Sequence, residues 1–405
     1  MTTTPNPLSR VRRRWLLTGG ALAAGGTAIG VGTAFGGRTD AGTEPSTADL
    51  GAAVVPFHGP HQAGIVTEPQ AHAVLLAFDL RPGTDRAALG RMMRLLTDDA
   101  ARLTTGRAAL ADTEPELATH PARLTVTFGF GPDLFAAAGR DRDRPASVEP
   151  LPAFGIDRLQ ARWSGGDLLI QVCADDPLTI AHAQRMLVKD TRTFATTRWV
   201  QRGFRRAAGV GRTGATQRNI MGQLDGTVQP AAAYHDRAVW ISDGPGWLHG
   251  GSTLVVRRIR AELETWDAVD RVGKEFAVGR RLDTGAPLTG AAEHDPVDLT
   301  ATDSLGLPVI SEFAHVRRAH TPDETLRILR RPYNYDDGVH PDGTPDAGLI
   351  FASFQADIAR QFIPVQRALA EVDLLNEWTT PVGSAVFAIP PGCGPDGWIG
   401  ETLLA

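Results

Sequence analysis

Three short segments of this 405-residue chain carry residue types that could do chemistry together. Asp225 lies between Gly222 and Gly226, in a turn whose glycines permit backbone angles that other residues resist. His315 follows an apolar run and precedes an arginine pair, and Arg330 comes 15 residues later. A carboxylate can move a proton, a neutral imidazole can bind a metal ion, and a guanidinium can stabilise negative charge.

Each of these segments also has an ordinary explanation. Asp-Gly pairs are common in loops, so a plain turn would account for Asp225 on its own. None of the 11 histidines shows the spacing of a helical metalloprotease site, and most are expected on the surface or in the core. The pair Arg330 and Arg331 suits a solvated face or a carboxylate partner. Position sets His315 apart, because an imidazole there could ligate the iron of a porphyrin from one side.

Composition excludes several other kinds of protein. With 42% hydrophobic residues the chain can bury a large core, and its length favours two domains or one duplicated unit. Two cysteines, Cys173 and Cys393, rule out a disulfide scaffold and a cysteine-based zinc or iron–sulfur site, and we expect free thiols. The net charge of −5 gives little attraction for nucleic acid. We expect the basic clusters at 202–206 and 257–260 to be solvated helix or strand edges.

The first forty residues predict an export signal rather than a part of the fold. Arg12–Arg14 precede an apolar stretch over 15–35 that is rich in Gly and Ala, which is the pattern of a twin-arginine signal peptide over 1–40. Such a signal implies the twin-arginine translocase as a partner and a secreted or extracytoplasmic location. A membrane anchor is the alternative, although six glycines would make a weak membrane helix. Residues 41–55 are predicted to be a disordered lead-in.

The apolar patterns along the rest of the chain predict short strands interleaved with helices. Helices are predicted over 86–103, 177–190, 260–272 and 358–369, the last with a kink at Pro364. Strands are predicted over 73–80, 124–131, 167–176, 252–259 and 348–357. Because strands and helices do not alternate strictly, the pattern favours an α+β fold with antiparallel sheets covered by helices.

The second half of the chain repeats the order of the first. Leu75 aligns with Leu254 at an offset of 179 residues, and Leu169 aligns with Ile350 at an offset of 181. Two matching pairs at nearly one spacing indicate internal duplication of a strand–helix–strand unit. Chance similarity between apolar strands is the alternative.

Taken in order, the motifs resemble those of the dye-decolorising peroxidases, and the export signal resembles the secreted branch of that family. GQLDGT contains the GxxDG signature, AHVRR resembles the proximal site, and LRRPYNY resembles the distal arginine segment. Six more segments match: FHGPHQAGI, GGDLLIQVCADD, VGRRLDTGAPL, LIFASFQAD, QFIPVQRALAE and VGSAVFAIPPG. The matches run from Phe57 to Gly392, which argues against coincidence.

The resemblance implies duplicated ferredoxin-like domains in a dimeric α+β barrel-like architecture. We expect an N-terminal domain over 56–245 that carries the Asp225 motif, and a C-terminal haem-binding domain over 246–405.

The resemblance also implies a haem b peroxidase with one haem per chain. Such an enzyme uses hydrogen peroxide to oxidise bulky aromatic or dye-like donors in one-electron steps, through an oxyferryl intermediate. Asp225 and Arg330 would be the catalytic residues over the open coordination site. The residues that would hold the haem are His315 as the axial iron ligand, Arg280 on a propionate, and Gly226 and Thr227.

The sequence departs from the family pattern in three places. Gln229 stands where the family often has Asn, residues 320–322 replace a usual Asn-Pro, and Pro332 could alter how Arg330 is presented. His320 is a rival axial ligand.

Other questions stay open at this stage. Asp357 is a guess for the carboxylate that hydrogen-bonds His315. Tyr333 and Tyr335 could relay electrons to surface donors or could simply pack in the core. An exported haem-handling or haem-iron-releasing protein, similar to a deferrochelatase, is the alternative function. An exported α+β binding protein without a metal is a third, and a homo-oligomer is an open alternative to a monomer.

Overall fold

The computed structural model describes residues 50–211 and 214–405 of the chain. They belong to one compact unit that runs from Pro45 to Ala405. In these two stretches, no helix has the length and apolar character needed to cross a membrane. The predicted signal peptide lies outside the described residues.

The strands found in these stretches are numbered in chain order. They are β1 (His72–Leu80), β2 (Thr125–Phe130), β3 (Leu168–Ala174), β4 (Ala195–Phe204), β5 (Ser252–Ala261), β6 (Leu329–Arg330), β7 (Tyr333–Val339), β8 (Pro345–Gln355) and β9 (Thr379–Ile389).

The helices are numbered in the same way. They are α1 (Arg86–Leu103), α2 (Pro132–Ala137), α3 (Pro177–Thr191), α4 (His235–Ala238), α5 (Leu263–Asp267), α6 (Arg271–Val278), α7 (His315–Arg318), α8 (Phe362–Val372) and α9 (Glu401–Leu404).

The two halves of the sheet have the same strand order. The first half runs β2-β3-β1-β4 and the second runs β7-β8-β5-β9, with every pairing antiparallel. The strands aligned in the sequence, β1 with β5 and β3 with β8, therefore occupy equivalent places, which confirms the predicted duplication. The halves join at Phe130 opposite Ala388 and at Phe204 opposite Asn334, so the sheet closes into a barrel. The predicted α+β barrel-like fold is confirmed.

Both faces of the barrel wall are buried. Along β1, alternate residues Ala73, Leu75 and Ala77 join an apolar cluster to which strands around the ring contribute, and this cluster fills the barrel interior. Val74 and Leu76 point the other way and pack with residues of α1 and α3. Because both faces of β1 and β3 are covered, these two strands are nearly continuous apolar runs.

Helix α1 forms where its sequence pattern predicts it. Asp85 caps the first turn by accepting a hydrogen bond from the backbone N–H of Ala88 at 2.8 Å. The buried residues of α1 recur with helical spacing, at Leu89, Met92, Met93 and Leu96, so one face of the helix covers the sheet.

The predictions around 260–272 and at Pro364 were wrong. Strand β5 continues to Ala261, and two short helices, α5 and α6, follow in place of one. Pro364 lies in the first turn of α8, where its missing N–H has no helical acceptor to lose, so it does not kink the helix.

The expectation that the 257–260 cluster is solvated was also wrong. Arg257 and Arg258 are each 1% exposed. Arg257 pairs with Asp157, and Arg258 donates to Asp337 at 2.7 Å while its guanidinium stacks 3.6 Å from the centre of the Tyr335 ring. The carboxylates compensate for the loss of water around these cations.

The cysteines and the end of the lead-in were also the subject of predictions. The thiols are unbridged, Cys173 buried and Cys393 half-buried, as predicted. At the end of the predicted lead-in, the carbonyls of Gly51 and Ala53 accept hydrogen bonds from the backbone of residues 122 and 123, so this end is ordered.

A pair of buried carboxyl groups joins α1 to α3. Asp99 and Asp190 face each other between the helices, and Asp99 also accepts a hydrogen bond from the Leu110 N–H at 2.7 Å. Burial, followed by the charge of Asp99, raises the pKa of Asp190 to about 8. The pair therefore shares one proton at neutral pH.

This shared proton predicts a pH-dependent stability. Because the pKa of Asp190 is raised above its ordinary value of 3.8 to about 8, the folded chain holds one extra proton in that window. This proton stabilises the fold fully below pH 3.8, and the stabilisation is lost as the pH rises to about 8. The free energy of unfolding falls by at most about 1.4 kcal/mol per pH unit in this window. Asp190→Asn should flatten this slope in denaturant-unfolding free energies measured across the window.

The matched control is Asp98→Asn, an exposed acid one residue before Asp99 that pairs with Arg102. It should keep the parental slope. A parental slope in Asp190→Asn would contradict the shared proton.

Candidate active site

A tight turn presents Asp225. Gly222 and Gly226 have φ values of +88° and +120°, as the sequence pattern requires. The Asn219 side chain accepts hydrogen bonds from two N–H groups inside the turn, and the Asp225 N–H donates to the Gln217 carbonyl at 2.9 Å. The turn is therefore held by the Asn219 side chain at its start and by a backbone hydrogen bond at Asp225.

Arg330 meets Asp225 from the end of β6. Its Nη1 donates to Asp225 Oδ1 at 3.0 Å, and its Nη2 donates to the Val228 carbonyl at 3.1 Å. The side chains are 23% and 14% exposed, so the ion pair lines a cleft rather than the open surface. Among the described residues, Oδ2 of Asp225 has only a 3.5 Å contact from Asn219.

Gln229, one of the departures from the family pattern, fixes the backbone of Arg330. Its amide accepts from the Arg330 N–H at 2.8 Å and donates to the Arg330 carbonyl at 2.9 Å, as a neighbouring strand would. Pro332 follows at the break between β6 and β7, and its carbonyl accepts from Gln217 at 3.3 Å. Gln229 therefore supports the position of Arg330 next to this break.

His315, which follows the apolar run, is the first residue of the short helix α7. Its Nδ1 lies 2.6 Å from Oδ2 of Asp373, a carboxylate that is 3% exposed. Asp373 in turn accepts from the Leu375 N–H at 3.0 Å, which fixes its orientation. The guess that Asp357 is the partner was wrong, because Asp357 caps the N–H groups of residues 359 and 360 instead.

His315, Asp225 and Arg330 act on one another electrostatically. The His315 side chain is 36% exposed. Burial lowers the pKa of His315, but the hydrogen-bonded Asp373 carboxylate raises it more, so the pKa lies above its ordinary value. The charge of Arg330 lowers this pKa and that of Asp225 raises it, which indicates that both side chains lie near the ring.

Arg280 belongs to the same neighbourhood. It is 9% exposed, and its Nη1 donates to the carbonyls of Gly285 and Glu293 at 2.7 and 2.9 Å. Burial lowers its pKa, the Glu293 carboxylate raises it, and the charge of Arg330 lowers it. Arg280 and Arg330 are thus two cations on one cleft.

The remaining predicted residues take different places. Thr227 uses its hydroxyl to donate to Glu293 Oε1 at 2.9 Å. His320, the rival ligand, is exposed at the surface. Tyr333 and Tyr335 are 1% and 0% exposed and pack inside the barrel.

Two residues of the cleft were missed in the sequence. Asp373 is 58 positions from His315, and its only signal is that it is one of two acids within four residues after the last predicted helix. Glu293 lies 66 positions from Thr227 in a polar loop, and nothing in its local pattern distinguishes it.

The fold and the cleft together suit a peroxidase of the α+β barrel type, and the comparisons with known proteins agree. The domain described as "Dyp-type peroxidase, N-terminal" matches residues 62–205, and "Dyp-type peroxidase, C-terminal" matches 216–394. The dye-decolorizing peroxidase of Thermobifida fusca is 43% identical over 81% of this chain and 80% of its own. A deferrochelatase of Yersinia pestis is 36% identical over 86% and 84%.

The solved structures show the same relationship. A DyP-type peroxidase from Cellulomonas bogoriensis superposes with a TM-score of 0.86 and is 52% identical, covering 88% of this chain and 99% of its own. The chain therefore belongs to the Dyp-type peroxidase family, and it is a peroxidase. Proteins of this family are haem enzymes.

The residues of the cleft fit such a group. With Nδ1 of His315 bonded to Asp373, the Nε2 atom has no hydrogen-bond partner in the described part of the chain and can act as a metal ligand. Arg280 uses only Nη1 toward described protein groups, which leaves Nε and Nη2 for a carboxylate. These are the donors that an iron and a propionate need.

The short helix of His315 is packed against Gly279. This glycine ends α6 with φ +83°, and a Cβ there would lie 2.4 Å from Val316 Cγ1 and 3.2 Å from Ala314 Cβ. Gly279→Ala should therefore push α7 away as well as strain the backbone, costing about 1–3 kcal/mol beyond the backbone term. Thermal unfolding should show a lower midpoint.

Gly306→Ala is the matched control, because Gly306 has φ +79° but no atom within 4 Å of the added Cβ. It carries the backbone strain without the clash. Equal midpoints for the two variants would argue that Gly279 does not support the His315 helix.

Proposed function

We propose that this chain is a haem b peroxidase, with one haem per chain, which uses hydrogen peroxide to oxidise bulky aromatic or dye-like donors one electron at a time. The observation that carries the proposal is that two separate pairs, His315 with Asp373 and Asp225 with Arg330, act on a single cleft. Family membership supports the peroxide chemistry. The particular donor class follows from the resemblance and from the name of the Thermobifida relative.

His315 would hold the haem iron through Nε2, and Arg280 would hold a propionate. When bound, the haem supplies an iron centre that accepts peroxide and stores its oxidising equivalents. Asp373 accepts the Nδ1 proton of His315, which makes the ring a stronger donor and fixes its direction.

Asp225 would move the proton that peroxide cleavage requires. Breaking the O–O bond heterolytically requires a proton to pass from the inner to the outer oxygen, which then leaves as water. Oδ2 of Asp225 is suited to carry it, because Arg330 engages only Oδ1. The carboxylate takes the proton and returns it, so it ends the step unchanged.

Arg330 would have an electrostatic task. A guanidinium cannot act as a base in a protein, because it stays protonated. Its two donors are directed at Asp225 and at the Val228 carbonyl, which fixes it beside the carboxylate. From there its charge can stabilise the negative charge that develops on peroxide as the bond breaks.

Export through the twin-arginine pathway to an extracytoplasmic location is also proposed, on the arginine and apolar pattern of residues 1–40. Because the twin-arginine route carries folded proteins, it suits a chain that leaves the cell with its cofactor in place.

Removal of either distal group should slow the reaction with peroxide. Asp225→Ala loses proton transfer and Arg330→Ala loses charge stabilisation, so the first spectral change after stopped-flow mixing with hydrogen peroxide should slow by roughly 10²–10⁴ in each. Arg327→Ala is the control, since Arg327 pairs with Glu324 outside the cleft. If both distal variants react at the parental rate, the assignment is wrong.

Two assays on the purified protein distinguish a peroxidase from the alternative function. Deferrochelatases are among the relatives, and a chain of that kind would release iron from haem. Under reducing conditions, fluorescence of iron-free porphyrin without peroxide-dependent dye oxidation would favour the alternative. Dye oxidation without porphyrin fluorescence would favour the peroxidase.

A further inference from the structure

Glu293 connects the two sides of the cleft by two different groups. Its backbone carbonyl accepts a hydrogen bond from Arg280 Nη1 at 2.9 Å. Its carboxylate Oε1 accepts one from the Thr227 hydroxyl at 2.9 Å. One residue of a long loop is therefore bonded both to the arginine assigned to a propionate and to the turn that carries the catalytic acid.

The packing around Gly285 brings these two groups together. A Cβ on Gly285 would lie 2.6 Å from Leu224 Cδ1 and 3.2 Å from Glu293 Cγ, so the loop lies directly on the residue before Asp225. Arg280 Nη1 also donates to the Gly285 carbonyl at 2.7 Å. Arg280, Gly285 and Glu293 thus form a small closed arrangement against the turn.

Within the described stretches, the one ion pair of the Glu293 carboxylate is a long one, 3.9 Å from Nε2 of the exposed His294. The Glu293 side chain is only 20% exposed. Its clear partner is the Thr227 hydroxyl, a short contact across 66 positions of sequence.

We propose that Glu293 is a positioning residue that holds Arg280 and the Asp225 turn in register through its hydrogen bond from Thr227. This inference rests on the proposed function, because it assigns Arg280 to the haem. When the bond is present, the loop that carries the Arg280 acceptors cannot move away from the turn. When it is lost, both the grip on the cofactor and the placement of the acid loosen.

A double-mutant cycle on the haem-loaded protein tests the proposal. Glu293→Ala and Thr227→Val each remove one side of the bond, and each should speed transfer of haem to excess apomyoglobin by about tenfold, as loss of one such bond would. The double variant should be no faster than either single variant, because the same bond is lost in all three.

Conservative variants separate positioning from charge and from misfolding. Glu293→Gln keeps a carbonyl acceptor and Thr227→Ser keeps the hydroxyl, so both should restore most of the parental haem retention. His294→Ala, an exposed neighbour, should transfer haem at the parental rate. A purely structural role would instead lower the unfolding temperature of the haem-free protein without changing haem transfer.

The outcomes distinguish this inference from the proposed function. If the parental protein holds haem but Glu293→Ala and Thr227→Val release it at the parental rate, or if their effects add, the positioning role is overturned. If the parental protein binds no haem, the proposed function itself fails.

Discussion

The hydrogen bond between His315 Nδ1 and Asp373 Oδ2, 2.6 Å long, is the interaction on which the site depends. It fixes the direction of the ring and leaves Nε2 as the nitrogen that can bind a metal. The backbone supports it, since the Leu374 N–H donates to the Phe313 carbonyl at 3.0 Å and ties the two segments together. Without this support, a residue on a four-residue helix would have little to hold its side chain in place.

The barrel is duplicated, but the residues of the site lie in segments that differ between the two halves. Strands β1 and β5 occupy equivalent places, but the connection after β1 spans 81–124 and is largely one helix, whereas that after β5 spans 262–328. This longer connection carries Arg280, Glu293 and His315. The turn of Asp225 comes from the segment that joins the two halves, so the cleft forms only when the barrel is complete.

The sequence predicted much of the frame because that information is local. Helix 86–103 was predicted with its observed limits, since the cap at Asp85 and the apolar spacing lie within the segment itself. Asp225 and His315 were found from their motifs, and their roles from the family resemblance. The burial of Arg258 could not be foreseen, because its partners Asp337 and Asp346 are about eighty positions away. A separation of 58 positions likewise concealed Asp373 as the partner of His315.

The most direct test of the account is the spectrum of the purified, haem-loaded protein with His315 replaced. His315→Gly should lose the parental Soret band and electron paramagnetic resonance signal, and added imidazole should restore them by occupying the vacated position. His320→Gly should keep the parental spectra. Parental spectra in His315→Gly without imidazole would contradict the account, because the iron would then be bound by some other group.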